Sequence, residues 1–287
     1  MPELPEVETI VRRFRPLLEG RRITGFDTRW KKQLSPSLAA VRAGCVGRRI
    51  VRLARRGKFI VFQLDPPGCL LVHLRMSGRF EWGANCECEP GHLRAIWTFE
   101  DSERLLFCDP RKFGRVIYAP DLATATGELG VEPLSRAFTV AKLAALLRRH
   151  RRRLKPLLLD QRVIAGLGNI YTDEALFRAG LHPLTASDTL RPPQIAALHA
   201  AIRAVLREAI RYQGTTFDHA YAGGDMQHRL AVYGRKGQRC PRCGAAIRYA
   251  RVGQRGTHFC PRCQPIRGRR RRLVRRGQRQ TQAGAAR

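Results

Sequence analysis

Acidic residues are scarce in this chain. Only 23 Asp and Glu stand against 54 Lys and Arg in 287 residues, giving a formal net charge of +31 at neutral pH. Self-repulsion on that scale suits a protein whose partner is a polyanion, and nucleic acid is the leading candidate. A single charged run would be an ordinary solvated face, but here the excess is spread along the whole chain. Long apolar runs are missing too. Stretches such as Cys69-Leu70-Leu71-Val72 fall far short of the roughly 20 residues that cross a bilayer. No secretory signal is visible, so a cytoplasmic, nucleoid-associated protein without a membrane partner is expected. In that setting the nine cysteines read as reduced thiols and metal ligands rather than disulfides. The length suffices for a real core, in two domains plus a small module.

The chain opens Met1-Pro2-Glu3-Leu4-Pro5-Glu6-Val7-Glu8. A small residue such as Pro2 favours removal of the initiator methionine, which would leave proline as the terminus with a secondary, nucleophilic amine. An α-amino group has a pKa of roughly 7.7–8.0, whereas a lysine at about 10.4 needs a large shift to be as available near neutral pH. Glu3 beside it offers a carboxylate for proton transfer. The plainer alternative is that Pro2 and Pro5 simply start a helix. Val7, Ile10, Val11, Phe14, Leu17 and Leu18 do recur at helical spacing, with Gly20 where a cap would sit. Pro2 and Glu3 would then project from that helix's N-terminus.

Strand-like stretches follow at Arg49–Leu64, Cys69–Trp82, Leu93–Phe99 and Arg104–Ala119, separated by turn clusters such as Asp65-Pro66-Pro67-Gly68. They predict an antiparallel β-sandwich over residues 1–120 with the first helix packed against it, the first half of an α+β chain. Residues 121–135 read as a linker. A helical domain over 136–231 follows, with helices predicted at Val140–His150, Lys155–Val163, Ile170–Ala179 and Gln194–Tyr212. A cysteine-bearing module spans 232–264. The tail 265–287, with Arg269-Arg270-Arg271-Arg272 and almost no apolar residues, is expected to be disordered and to add sequence-independent affinity.

Cys240-Pro-Arg-Cys243 and Cys260-Pro-Arg-Cys263 are two CxxC pairs separated by a hairpin-sized stretch. Four thiolates at this spacing fit one tetrahedral Zn²⁺ and leave no open position, so the metal should be structural. Arg248, Arg251 and Arg255 would lie on the hairpin, where they could meet phosphate or base or simply be solvated. Cys86 and Cys88 with His92 are better read as a loop than as a second metal site, and Cys45, Cys69 and Cys108 as buried small side chains. Gly166-Leu167-Gly168-Asn169 before a helix offers uncovered backbone N–H groups suited to phosphate, or a tight turn. Lys58 falls between two strand halves. Met76-Ser77-Gly78 and Asp109-Pro110-Arg111-Lys112-Phe113-Gly114 read as turns carrying apolar side chains, either buried strand ends or wedges of the kind that kink a duplex.

These residues together resemble the formamidopyrimidine-DNA glycosylase family, which includes the endonuclease VIII-type enzymes. The motifs are PELPEVE, HLRMSG (73–78), DPRKFG (109–114), GLGNIY (166–171), VYGRKG (232–237) and the double CPRC. The resemblance implies a β-sandwich, a helix-two-turn-helix domain and a C-terminal β-hairpin zinc finger, with duplex DNA in the cleft between domains and the protein acting as a monomer. It implies excision of oxidised purines followed by strand cleavage at the abasic site. Pro2 would be the nucleophile, Glu3 would move protons, and Lys58 would hold the DNA and the reacting nucleoside. Met76, Arg111 and Phe113 would fill the gap left by the flipped base, and Lys155, Asn169, His92 and Arg255 would grip phosphates. The stretch Tyr221–His228 looks shorter than in the family, which sets formamidopyrimidines ahead of 8-oxoguanine as substrates. Two alternatives stand beside this reading: an endonuclease VIII-like preference for oxidised pyrimidines, and a non-catalytic DNA-binding protein on the same scaffold.

Overall fold

The computed structural model describes residues 1–216 and 223–266, so residues 217–222, with the start of the stretch Tyr221–His228, and the arginine-rich tail from 267 lie outside the described residues. Helix α1 (Leu4–Leu18) buries Val7, Ile10, Val11, Phe14 and Leu18 of the predicted stripe, with Leu17 partly buried, and buries Leu4 as well. Its entry is fixed by Glu3, whose backbone N–H donates to the Glu6 carboxylate at 2.8 Å. Then come β1 (Ile23–Thr28), β2 (Leu34–Ser35), α2 (Leu38–Cys45), β3 (Arg49–Arg56) and β4 (Phe59–Asp65). The predicted strand 49–64 is thus two strands, because Gly57 takes φ +58 and reverses the chain just before Lys58. The remaining strands are β5 (Gly68–His73), β6 (Arg79–Trp82), β7 (Leu93–Phe99), β8 (Arg104–Cys108) and β9 (Arg115–Ala119). The other two long predicted stretches break where the Met76 and Arg111–Phe113 turns leave the sheets.

Two sheets result, of order β2-β9-β5-β4-β3 and β1-β7-β8-β6, antiparallel except where the short β2 runs parallel to β9. Their inner faces meet around Trp97, whose ring lies 5.2 Å from Phe26, 6.1 Å from Phe62 and 6.2 Å from Phe80. α1 closes this core from the side, through Val7 to Leu18. Leu4 does not join it. It packs instead into the second core, formed by α4 (Val140–His150), α5 (Leu154–Leu159), α6 (Asn169–Arg178) and α7 (Pro192–Arg211), so the start of the chain is threaded between the two halves. Between them the stretch read as a linker carries α3 (Leu122–Thr126) and Glu132, whose carboxylate accepts bonds from Arg55, Arg56 and the Gly57 N–H and so holds the Lys58 turn. Strands β10 (Arg248–Val252) and β11 (Arg255–Phe259) form the C-terminal hairpin. Among the described residues no helix is long and apolar enough to cross a membrane.

One expectation fails at the cysteines. Cys45 and Cys69 are buried thiols as read, but Cys88 and Cys108 form a disulfide, their Cα atoms 5.8 Å apart. The pairing arises because β8 runs between β6 and β7, so the β6–β7 loop passes the end of β8. Nothing in the sequence spacing announces that neighbourhood.

Candidate active site

The N-terminus is buried at the seam of the two cores. Glu3 is 2% exposed, and its carboxylate accepts N–H bonds from Gly168 and Ile170, both 2.8 Å, and from Tyr171 at 3.4 Å. These are the unpaired donors of the first turn of α6, where the helix dipole also favours an anion. The glycine-rich turn, read from the sequence as a phosphate cradle or a tight turn, therefore has those N–H groups occupied by the protein's own carboxylate. Its glycines serve that fit: a Cβ on Gly168 would collide with the Glu3 side chain, and one on Gly166, at φ +98, would lie 2.6 Å from Leu4.

Burial lifts the Glu3 carboxyl from 4.5 to about 7, against the opposing pull of Lys58 and of the α6 N–H groups. Lys58 is buried beside it, and its ammonium is held below the ordinary lysine value, first by desolvation, with Arg255 and Arg75 adding and Glu3 and Glu6 opposing. The terminal amine, here that of Met1, is likewise lowered by burial, with Lys58 and Arg111 pushing the same way and Glu3 and Glu6 against. A carboxyl near neutrality beside two amines pushed towards their neutral forms is an arrangement made for proton exchange and amine nucleophilicity.

The sequence reading missed several residues that build this site. Glu6 accepts bonds from the Tyr171 hydroxyl, the Glu3 N–H and the Thr215 N–H, the first at 2.5 Å and the last at 2.9 Å, and so ties α1 to α6 and to the segment after α7. Its place one turn after Glu3 was the available signal. His73 is buried with Nδ1 accepting the Arg75 N–H at 3.0 Å, and desolvation together with Arg75 and Lys58 drops its pKa to about 3. It is therefore neutral, with Nε2 carrying its proton. Thr172, Asp173 and Glu174 are all fully buried. Three consecutive polar residues should leave some at the surface of a helix, but α6 is enclosed on every side.

Met76, Arg111 and Phe113 are brought together through Asp109. One Asp109 oxygen accepts the Ser77 hydroxyl at 2.5 Å and the Arg111 N–H at 3.2 Å, and the other accepts the Phe113 and Gly114 N–H groups, both 2.8 Å. Phe113 is 50% exposed with the Arg111 guanidinium 4.9 Å from its ring centre. Large rings are seldom left so open without a partner. His92, expected at a phosphate, belongs to this platform: its carbonyl accepts the Asp109 N–H at 2.8 Å and its Nδ1 lies 3.2 Å from Glu89.

Lys155 requires a correction. Expected to grip phosphate, it has no exposed surface, and its ammonium sits 2.6 Å from Asp173 and 2.8 Å from the Gly256 carbonyl. Asp173 also accepts the His258 N–H at 2.8 Å, and Asn169 donates to the same Gly256 carbonyl at 3.0 Å. These bonds dock the hairpin onto α6 and present the exposed Arg255 beside the buried Lys58–Glu3 pair. Lys155→Met strands the Asp173 charge in the interior and is expected to cost about 3–5 kcal/mol of stability. Urea denaturation checks it, and a loss under about 1 kcal/mol would rule out the ion pair as a structural tie.

The four cysteine sulfurs of Cys240, Cys243, Cys260 and Cys263 lie within 4.8 Å of one another, with Cys240 to Cys263 at 3.9 Å and Cys243 to Cys260 at 3.4 Å. Tetrahedral zinc with bonds of about 2.3 Å needs sulfurs about 3.8 Å apart, so the set fits the ion. The Arg242 and Cys263 N–H groups donate to Cys240 and Cys260 sulfurs, as befits thiolates.

Comparison with known proteins agrees with this geometry. The sequence profile of the formamidopyrimidine-DNA glycosylase N-terminal domain matches residues 1–116, that of the family's H2TH domain residues 129–220, and that of a zinc finger found in FPG and IleRS residues 237–266. The formamidopyrimidine-DNA glycosylase of Chloroflexus aurantiacus is 45% identical over 92% of this chain and 98% of its own length, and that of Enterococcus faecalis 39% over 94% and 99%. Lactococcus lactis Fpg bound to abasic-site DNA superposes with a TM-score of 0.85 at 33% identity, covering 92% of this chain and 99% of that one. With motifs, site geometry and full-length similarity in agreement, the chain belongs to the formamidopyrimidine-DNA glycosylase family.

Proposed function

We propose that this protein is a repair glycosylase that removes oxidised purines, formamidopyrimidines foremost, from duplex DNA and then cleaves the strand as an abasic-site lyase. The observation that carries the reading is the buried Glu3–Lys58 pair at the amino terminus, a charge arrangement that a DNA-binding scaffold without chemistry would not need. Lactococcus lactis Fpg in complex with abasic-site DNA and with a Fapy-dG derivative supports the substrate class. The enzyme would act as a monomer on the chromosome, in the bacterial cytoplasm.

Once Met1 is removed, Pro2 nitrogen attacks C1′, the glycosidic bond breaks, and its electron pair leaves with the base. Glu3 carries protons during base loss and opening of the sugar ring. The iminium formed by a secondary amine has no N–H to lose, so it stays cationic and acts as an electron sink. Elimination of the 3′ and then the 5′ phosphate follows. Met76, Arg111 and Phe113 occupy the space vacated by the extruded nucleotide, whose unstacking costs a few kcal/mol. Lys58, Asn169, His92 and Arg255 supply DNA contacts. The zinc ion, when bound, holds the hairpin that carries Arg255 and takes no chemical part.

Borohydride trapping tests the reading. Wild type should form a covalent adduct with duplexes carrying formamidopyrimidine or an abasic site, and Pro2→Gly should lose about 10²-fold or more in adduct and excision while still binding DNA. Lactococcus lactis Fpg has also been seen with oxidised-pyrimidine DNA, so a duplex with that lesion belongs in the series. Faster trapping there would favour the pyrimidine alternative. Binding without any adduct would leave a non-catalytic protein.

A further inference from the structure

We propose that Cys88–Cys108 is a reversible thiol–disulfide site that sets the position of the lesion-probing loops. Cys108 is fully buried at the end of β8 and is followed directly by Asp109, the residue from which Met76, Arg111 and Phe113 are all organised. Cys88 lies half-buried in the otherwise mostly exposed loop 83–92. That loop reaches the same platform independently, since the His92 carbonyl accepts the Asp109 N–H and Glu89 meets both His92 and Arg79. The disulfide therefore clamps an exposed loop to the root of the DNA-probing turn. Opened, it leaves the 88–92 end of the loop tied to Asp109 by the single His92 backbone bond and by surface ion pairs that are worth little, while the Gly83–Cys86 end stays bonded to Arg104 at the start of β8.

Exposed disulfides are the labile and regulatory ones, and Cys88 gives this bond a partly exposed end on its loop. The step needs a thiol such as glutathione. Its thiolate attacks the Cys88 sulfur, on the partly exposed side of the bond, the S–S bond breaks, and Cys108 departs as thiolate and takes up a proton. A second thiol displaces Cys88 from the mixed disulfide, so two electrons pass to the protein and the thiol pair is oxidised. Under oxidising conditions the reverse restores the clamp, coupling the wedge to the conditions that oxidise bases.

The inference rests on the repair reading above, because it assumes that the clamped turns probe DNA. Full-length, zinc-loaded protein is equilibrated in oxidised or reduced glutathione, with zinc content checked, then denatured, alkylated and mapped by mass. Cys88 and Cys108 should alkylate only after reduction, while the free Cys86 alkylates in both states. In parallel, the affinity ratio for damaged over undamaged duplex is measured, with 2-aminopurine opposite the lesion reporting wedge insertion. Reduction should lower that ratio roughly three- to tenfold, the scale on which residues outside a site tune it, and weaken the fluorescence change. Cys88→Ser should sit at the reduced value in both buffers. Absence of the bond in oxidised protein overturns the proposal, as does a reduction that moves only the melting temperature. A mapped bond in a protein with no lesion preference in either buffer would bring down the repair reading itself.

Discussion

Glu3→Gln is expected to lower base excision by about 10²–10⁴-fold, the range for a lost general acid or base, with duplex binding within a fewfold of wild type. Binding survives because the basic surface is untouched, whereas the proton carrier is gone. In wild type the pH profile of excision should bend near the Glu3 value of about 7, and that bend should be missing from the residual activity of the variant. Stability carries the same signature with a definite sign. The Glu3 pKa is raised on folding, so the fold favours the protonated form. Its contribution is complete below the unfolded value of about 4.5 and is lost as pH rises through about 7. Glutamine cannot ionise, so the melting temperature of Glu3→Gln relative to wild type should rise between about pH 5 and pH 8. A variant that excises normally, or whose relative stability is flat across that window, defeats this account. Gly168→Ala should mimic part of the loss, because its Cβ would displace the carboxylate from α6.

Removal of zinc, by chelation or by Cys243→Ser, is expected to unfold residues 237–264 while the sandwich and the helical domain stay folded. The hairpin module has a core of few residues, among them Phe177, Val232 and Ile247, whereas the other two cores are large and separate. Metal binding worth on the order of 10 kcal/mol therefore is most of what folds it. The undocked hairpin withdraws Arg255 and the Gly256 carbonyl that Lys155 and Asn169 share. The Arg255 contact at about 1–3 kcal/mol would go and Asn169 would lose its anchor, so affinity should fall by roughly tenfold or more. Circular dichroism, metal analysis and fluorescence anisotropy together check this. Fully active, zinc-free protein would refute it.

The first helix, the change from strand to helix texture, the turns at Met76 and Arg111–Phe113 and the zinc ligands were legible in the sequence because each is a local property, whereas β1, β2, α2 and α3 were not read. Periodicity reports which face of a segment is buried, and CxxC spacing reports two ligands on one turn. The strand breaks at Gly57 and at the Met76 and Arg111–Phe113 turns were within reach of the same rules but were merged into longer runs. What the sequence could not carry were the partners of buried polar groups. Glu3 meets α6 across 165 positions, Lys155 meets Gly256 across 101, and Cys88 meets Cys108 only because three strands order themselves as β7-β8-β6. A lysine in a basic segment and a glycine turn before a helix both read as phosphate ligands, since their local chemistry is the same whether the anion belongs to DNA or to the protein. Residue types and spacing determined which chemistry was available. The packing of two cores around one helix decided which groups satisfied one another inside the protein and which were left to face DNA, because a buried charge takes whatever partner the tertiary fold brings within reach.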